Sequence, residues 1–208
     1  MKYVFYVLGI LILTLGIAFT IQSDLGVSPF DAILVGLAVH AGLTVGSWEV
    51  MIALLLIGCN SFLKRQRPEV SGMLTAFITG IGIDMWLFLL HFFVTPEQWY
   101  IKAICFGIGL VVTGLGTATY LYTNFAPMPI DRLTFIIKEL TGTSIFFSRT
   151  IIFLVFLTAG VMLKGPIGIG TLLTVCLGGL VLHFFTPFLL EKYWGALQTL
   201  VHYDKECF

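Results

Sequence analysis

Charge is what this sequence has least of. Among 208 residues there are 11 Lys and Arg and 11 Asp and Glu, with a formal net charge of zero. No run of five or six like charges occurs, so a nucleic-acid surface is excluded and no charged interaction tail is present. Cysteine is nearly as scarce. Cys59, Cys105 and Cys176 lie in apolar runs and Cys207 near the end of the chain, with no C-x-x-C or other ligand spacing, so they read as packing residues rather than a metal site or a disulfide framework. His40, His91, His183 and His202 are scattered. With no nucleophile, base and oxyanion donors grouped together, neither an enzyme nor a resident metal or cofactor is expected. Strand-length alternation of polarity is missing as well, which excludes a transmembrane barrel. No A-x-A-like site follows the first apolar stretch, so it is expected to stay as an uncleaved span.

What the chain has instead is oil: 58% hydrophobic residues and a mean hydropathy of +1.02. Charge-free runs at Tyr3 to Ser23, Ala103 to Ile130 and Gly165 to Leu190 match or exceed the roughly 20 residues a helix needs to cross a bilayer. Six long spans are predicted: Val4 to Gln22, Ser47 to Leu63, Gly72 to Val94, Ile101 to Tyr122, Phe146 to Leu163 and Ile169 to Leu190. Two apolar pieces are too short to cross comfortably, Pro29 to Gly42 and Pro129 to Leu140. The whole of 1–208 reads as one polytopic membrane domain whose first partner is the lipid bilayer.

Sliding the chain by 100 positions aligns Lys2, Gly9, Leu15, Gly16, Ala18, Pro29 and Asp31 with Lys102, Gly109, Leu115, Gly116, Ala118, Pro129 and Asp131 without a gap. The chain is therefore read as two repeats, about 1–97 and 98–194, followed by a short cytoplasmic tail of about 195–208. With small gaps the match extends, placing Leu43-Thr44 on Leu140-Thr141 and Gly72, Thr75 and Gly82 on Gly168, Thr171 and Gly178. Three spans per repeat would make the second repeat upside down. Lysine and arginine favour that arrangement: with six spans and a cytoplasmic N-terminus, Lys2, Lys64, Arg65, Arg67, Arg132, Lys138, Lys192 and Lys205 fall inside with Arg149 near them, leaving Lys102 and Lys164 outside, whereas eight spans would export the "KRQR" cluster of Lys64 to Arg67. The expected fold is an all-α bundle of six transmembrane helices, an inverted repeat of three plus three, with one short re-entrant or interfacial helix per repeat.

The residues singled out as candidate binding groups are Asp31, Asp84, Asp131, Arg149, Gly168, Gly170 and Thr171. Ser28-Pro29-Phe30-Asp31 matches a helix start with Ser28 as N-cap, Pro29 in the first turn and Asp31 at the third position. Capping alone would account for Asp31. Met128 cannot cap, yet Asp131 is present in the second repeat. Short helices at corresponding places in inverted halves are also a pointer to a transporter's binding site. Asp84, within "GIGIDMWLF", stands mid-span, where an Asp costs about 2.5 to 3.5 kcal/mol on insertion scales; it is expected to face the interior, with Arg149 as one candidate partner. Arg149 can equally snorkel to headgroups. "KGPIGIGT", Lys164 to Thr171, is either an anion cradle at a helix start or a tight turn leading into a closely packed helix. Gly9, Gly16, Gly109 and Gly116 recur seven apart and read as helix contact surfaces.

The stretch "DLGVSPFDAI" (24–33), its echo "APMPIDRLT" (126–134), the following "ELTG" (139–142) and "GIGT" (168–171) resemble the YczE/YyaS/YitT group of bacterial integral membrane proteins, and within it the YczE type. The resemblance spans nearly the whole chain through short motifs. It implies a multi-pass protein of the bacterial cytoplasmic membrane and supplies no catalytic residues; the soluble C-terminal domain of the larger YitT-type members is not expected here. The functional expectation is transport or sensing of a small solute or ion at the repeat interface. Its alternatives are a non-transporting membrane partner that supports another complex, or a substrate-capturing subunit of a multi-component importer. A homo-oligomer fits any of these.

Overall fold

The structure is a computed structural model and describes residues 2–93, 96–123 and 125–177. All regular structure among them is helical: α1 (Lys2–Gln22), α2 (Pro29–Ala41), α3 (Val45–Lys64), α4 (Ser71–Phe93), α5 (Trp99–Tyr122), α6 (Pro129–Thr141) and α7 (Ile145–Met162). An eighth helix, α8, is described over residues 169–177. Helices α1, α3, α4 and α5 are long and apolar enough to cross a membrane, and the chain is an all-α, multi-pass membrane protein. The fifth expected span coincides with α7, whose 18 residues reach about 27 Å. The sixth begins with α8, and its remainder beyond 177 lies outside the described residues, as do Gly178, Lys192, Lys205 and the tail.

Glycine decides which helices meet. A Cβ on Gly16 would stand 2.4 Å from the Thr113 backbone nitrogen, and one on Gly116 would stand 2.2 Å from that of Leu13. Only hydrogen fits there, so the backbones of α1 and α5 touch directly, as the glycine spacing suggested. The partners also give direction. Gly9 lies against Tyr120, Gly16 against Thr113 and Gly109, and Asp24 pairs with Lys102 at 2.8 Å. As α1 advances, its neighbours on α5 recede, so the two helices run antiparallel. They are also the two that match at the 100-residue offset.

The remaining helices form a second layer. One buried cluster joins Tyr6, Ile10, Leu13 and Ile17 of α1 with Ile83 of α4 and Tyr120 of α5. The other joins Phe30 and Leu34 of α2, Leu56 of α3, Leu133 of α6 and Ile152 of α7. Each short helix lies between the same two long ones, α2 packing on α7 and α3, and α6 on α3 and α7. Outward faces are apolar, with Leu55 69% and Phe88 66% exposed, as suits lipid. Hydroxyls turn inward: Tyr6 Oη and Thr75 Oγ1 are 2.5 Å apart, and Thr75 donates to the Ala126 carbonyl at 3.0 Å. Such pairing matters where no water satisfies a polar group.

The gap placed after Asp131 in the self-comparison is not needed. Thr44 caps α3 by accepting from the Ser47 N–H, and Ser144 caps α7 by accepting from the Phe147 N–H. The unshifted offset therefore holds from Pro29 and Pro129 through the starts of α3 and α7.

Candidate functional site

Each short helix begins inside the bundle rather than at its rim. Before α2 the chain turns back at Gly26, whose φ of 109° suits glycine, and the Val27 N–H reaches the Pro166 carbonyl at 3.2 Å. Ser28 then caps the helix, accepting from the Asp31 N–H at 3.1 Å and donating to Asp31 Oδ2 at 2.6 Å, with Pro29 at the first position. At α6, Met128 provides no side-chain cap. There Asp131 accepts a short hydrogen bond from the Tyr120 hydroxyl, so the second carboxylate is tied to α5 rather than to its own helix start. Both helix starts direct the positive ends of their dipoles inward.

Between the two layers lies a cavity of about 160 Å³ that Asp31, Glu49, Asp131 and Arg149 all line, together with Leu13, Ile17, Thr79, Thr113, Thr117 and Tyr120. Asp31 is 7% exposed and Glu49 only 2%, and both carboxyls open onto this one cavity. Among the described residues no hydrogen bond or ion pair reaches the Glu49 carboxylate. A buried carboxylate left this way costs several kcal/mol, which it sheds either by taking up a proton or by receiving a compensating group. The Arg149 guanidinium lies 5.2 Å from the Phe153 ring centroid, and among the described residues it too has no ion pair. The hydroxyl of Thr113 is buried without a partner. A second hollow, beside Asn60, Lys64 and Arg132, measures about 30 Å³, which is room for about two waters. The larger cavity is the candidate site.

Of the residues expected from the sequence, Asp31, Asp131 and Arg149 come together here. Asp84 does not line the cavity. It sits at the start of α3, accepting from Thr44 Oγ1 at 2.6 Å and from the Gly46 N–H at 2.8 Å, and it makes no contact with Arg149. Gly168, Gly170 and Thr171 face the turn before α2: a Cβ on Gly168 would stand 2.4 Å from the Leu25 carbonyl oxygen and one on Gly170 2.6 Å from that of Gly26. Glu49 was missed. Its signal was available, since the ungapped offset that pairs Asp31 with Asp131 also sets Glu49 opposite Arg149.

Comparison with known proteins agrees with this picture of a membrane chain. Residues 1–187 match a family of unknown function, DUF6198. The uncharacterised protein YyaS of Bacillus subtilis is 59% identical over 187 residues, covering 90% of this chain and 93% of the relative. The uncharacterised membrane protein YczE of the same organism is 36% identical over 188 residues, covering 90% and 86%. An uncharacterised protein of Haemophilus influenzae is 27% identical over 175 residues, covering 84% and 78%. The YyaS identity well exceeds that to YczE, so the lean toward the YczE type is corrected to YyaS. No solved structure matches. The chain belongs to the DUF6198 family, alongside YyaS and YczE.

Proposed function

We propose that this member of the YyaS and YczE family is a carrier that moves a small solute or ion through the cavity between its two halves. In this reading the halves form an inverted repeat of three spans each, with α2 and α6 as short re-entrant helices. The antiparallel meeting of α1 with α5 and the packing of both α2 and α6 on α3 and α7 support it. The observation that carries it is that equivalent positions of both halves, Asp31 with Asp131 and Glu49 with Arg149, converge on one cavity. Inverted-repeat carriers put their sites at that interface, often at the starts of broken or short helices.

The basic residues support an orientation. Arg132 pairs with Glu69, and Lys64 pairs with Glu139 at 2.8 Å, so the "KRQR" loop and α6 share a face. By the positive-inside rule that face, and with it the N-terminus, is cytoplasmic in a bacterial plasma membrane. The chain in this reading performs no bond-making chemistry.

Reconstitution tests the proposal. Purified protein in liposomes should, without any partner, drive uptake of at least one solute from a panel of amino acids, amines, organic acids and inorganic ions, and Asp31→Asn should abolish it. Absence of uptake across the panel, with one membrane protein co-purifying in constant ratio, would replace the carrier with a non-transporting partner of another complex. A single cysteine at Gln66 in a cysteine-free variant checks orientation, and labelling from outside the cell would overturn the inverted repeat.

A further inference from the structure

Glu49 and Arg149 hold equivalent places, each within the first turns of its helix, α3 or α7, and both line the central cavity. One is an acid and the other a base, yet they form no ion pair with each other. Had they closed on one another, each would have satisfied the other. Their neighbours do not satisfy them either. Asp131, the acid nearest in kind to a partner for Arg149, is engaged by the Tyr120 hydroxyl. Asp31, on the side of Glu49, adds a second negative charge there rather than a positive one. The Glu49 side chain is 2% exposed, and among the described residues it has no hydrogen-bond donor. The cavity thus presents a buried acid without a hydrogen-bond donor on one wall and a guanidinium without an ion pair on the other, an arrangement complementary to a molecule that carries both charges.

We propose that the cavity binds a small zwitterion, its ammonium received by Glu49 and Asp31 and its carboxylate by Arg149. The proposal rests on the carrier reading of the same cavity. Guanidinium and carboxylate match in geometry and form charge-assisted hydrogen bonds, which a point charge would not select for. The unpartnered Thr113 hydroxyl supplies a further polar contact. Size sets the upper bound. A cavity of roughly 150 Å³ accommodates benzene, with its six carbon atoms, and this one measures about 160 Å³. Solutes on the scale of glycine, alanine or proline fit, and aromatic amino acids do not.

The test is thermal unfolding of the full-length protein in detergent with L-alanine and with its two half-molecules, ethylamine and propionate, beside glycine, β-alanine and L-proline. At least one zwitterion should raise the unfolding temperature at a concentration where neither half-molecule does. Glu49→Gln and Arg149→Gln should each weaken that binding about tenfold or more. The double exchange Glu49→Arg with Arg149→Glu keeps both charges in the cavity and should restore part of it. Should Glu49→Gln fail to fold, Glu49→Asp keeps the charge, shortens its reach and should still weaken binding. Stabilisation by ethylamine or propionate equal to that by L-alanine would overturn the two-point assignment. Proteoliposomes that move a singly charged solute while no zwitterion binds would overturn it too and leave the carrier reading standing. No uptake of any solute would remove both.

Discussion

One wall of the central cavity comes from α2 and α3 and the other from α6 and α7, and they share a plan while differing in charge. At the first, Ser28 holds Asp31, and Glu49 has no hydrogen bond among the described residues. At the second, Tyr120 holds Asp131 and Arg149 takes the place of Glu49. The helix starts follow one plan in both, with Pro29 and Pro129 at the first positions and Thr44 and Ser144 as the next caps. Positions 100 apart in the sequence, Asp31 with Asp131 and Glu49 with Arg149, line one cavity, and the change of sign at the second pair gives it polarity. A symmetric hollow lined by four acids would select for cations alone.

Four substitutions break or sharpen this contrast. The largest effect is expected at the seam that holds both walls in register. Gly16→Leu must displace the backbone of α5 and should leave little folded protein on size-exclusion chromatography, whereas Gly107→Leu on the same α5, where nothing lies within 4 Å, should be tolerated. Overpacking of this kind costs about 1 to 3 kcal/mol even when side chains can yield, and backbone cannot. Next comes the start of α3. Asp84→Ala strips acceptors from the Thr44 hydroxyl and the Gly46 N–H and should destabilise by about 1 to 3 kcal/mol in chemical unfolding. Asp84→Asn should retain most of that stability, and solute binding with it.

Ser28→Ala makes the first wall resemble the second by removing its cap, with an expected cost of about 0.5 to 2 kcal/mol. Met128→Ala, where no cap exists to be lost, serves as the reference. The smallest effect belongs to Glu139, which Lys64 holds below the usual carboxylate range through a hydrogen bond and its charge. A carboxyl depressed in the folded state stabilises above its unfolded pKa, and the contribution is lost as pH falls through the folded value. Glu139→Gln should therefore narrow the acid-induced loss of stability slightly and leave neutral pH almost unchanged, because the pair is exposed.

Much of this was legible in the residues. Length and apolarity marked the long helices, and Pro-x-Asp marked the starts of α2 and α6 to the residue. The glycines seven apart marked the α1 and α5 seam. Glu49 escaped because the self-comparison looked for identity, and an acid set opposite a base is invisible to such matching. Asp84 drew weight for the opposite reason. Its cost was judged from its position along α4 alone, but the unpaired N–H groups of another helix start meet it there. A position along a span does not say what polar groups neighbouring elements bring to the same depth. Gly168, Gly170 and Thr171 show the same limit, since their glycines serve close packing on the turn at Leu25 and Gly26.

The seam between α1 and α5 has one more implication. Interdigitated leucines would lock two helices like teeth, so that any rotation must lift one ridge over another. Where Gly9, Gly16, Gly109 and Gly116 bring the two backbones together, only short side chains such as those of Thr20 and Thr113 reach into the seam, and the ridges to be climbed are low. The contact between α1 and α5 is therefore closer to a bearing than to a zip, and in the carrier reading a small roll about it would move one cavity wall against the other.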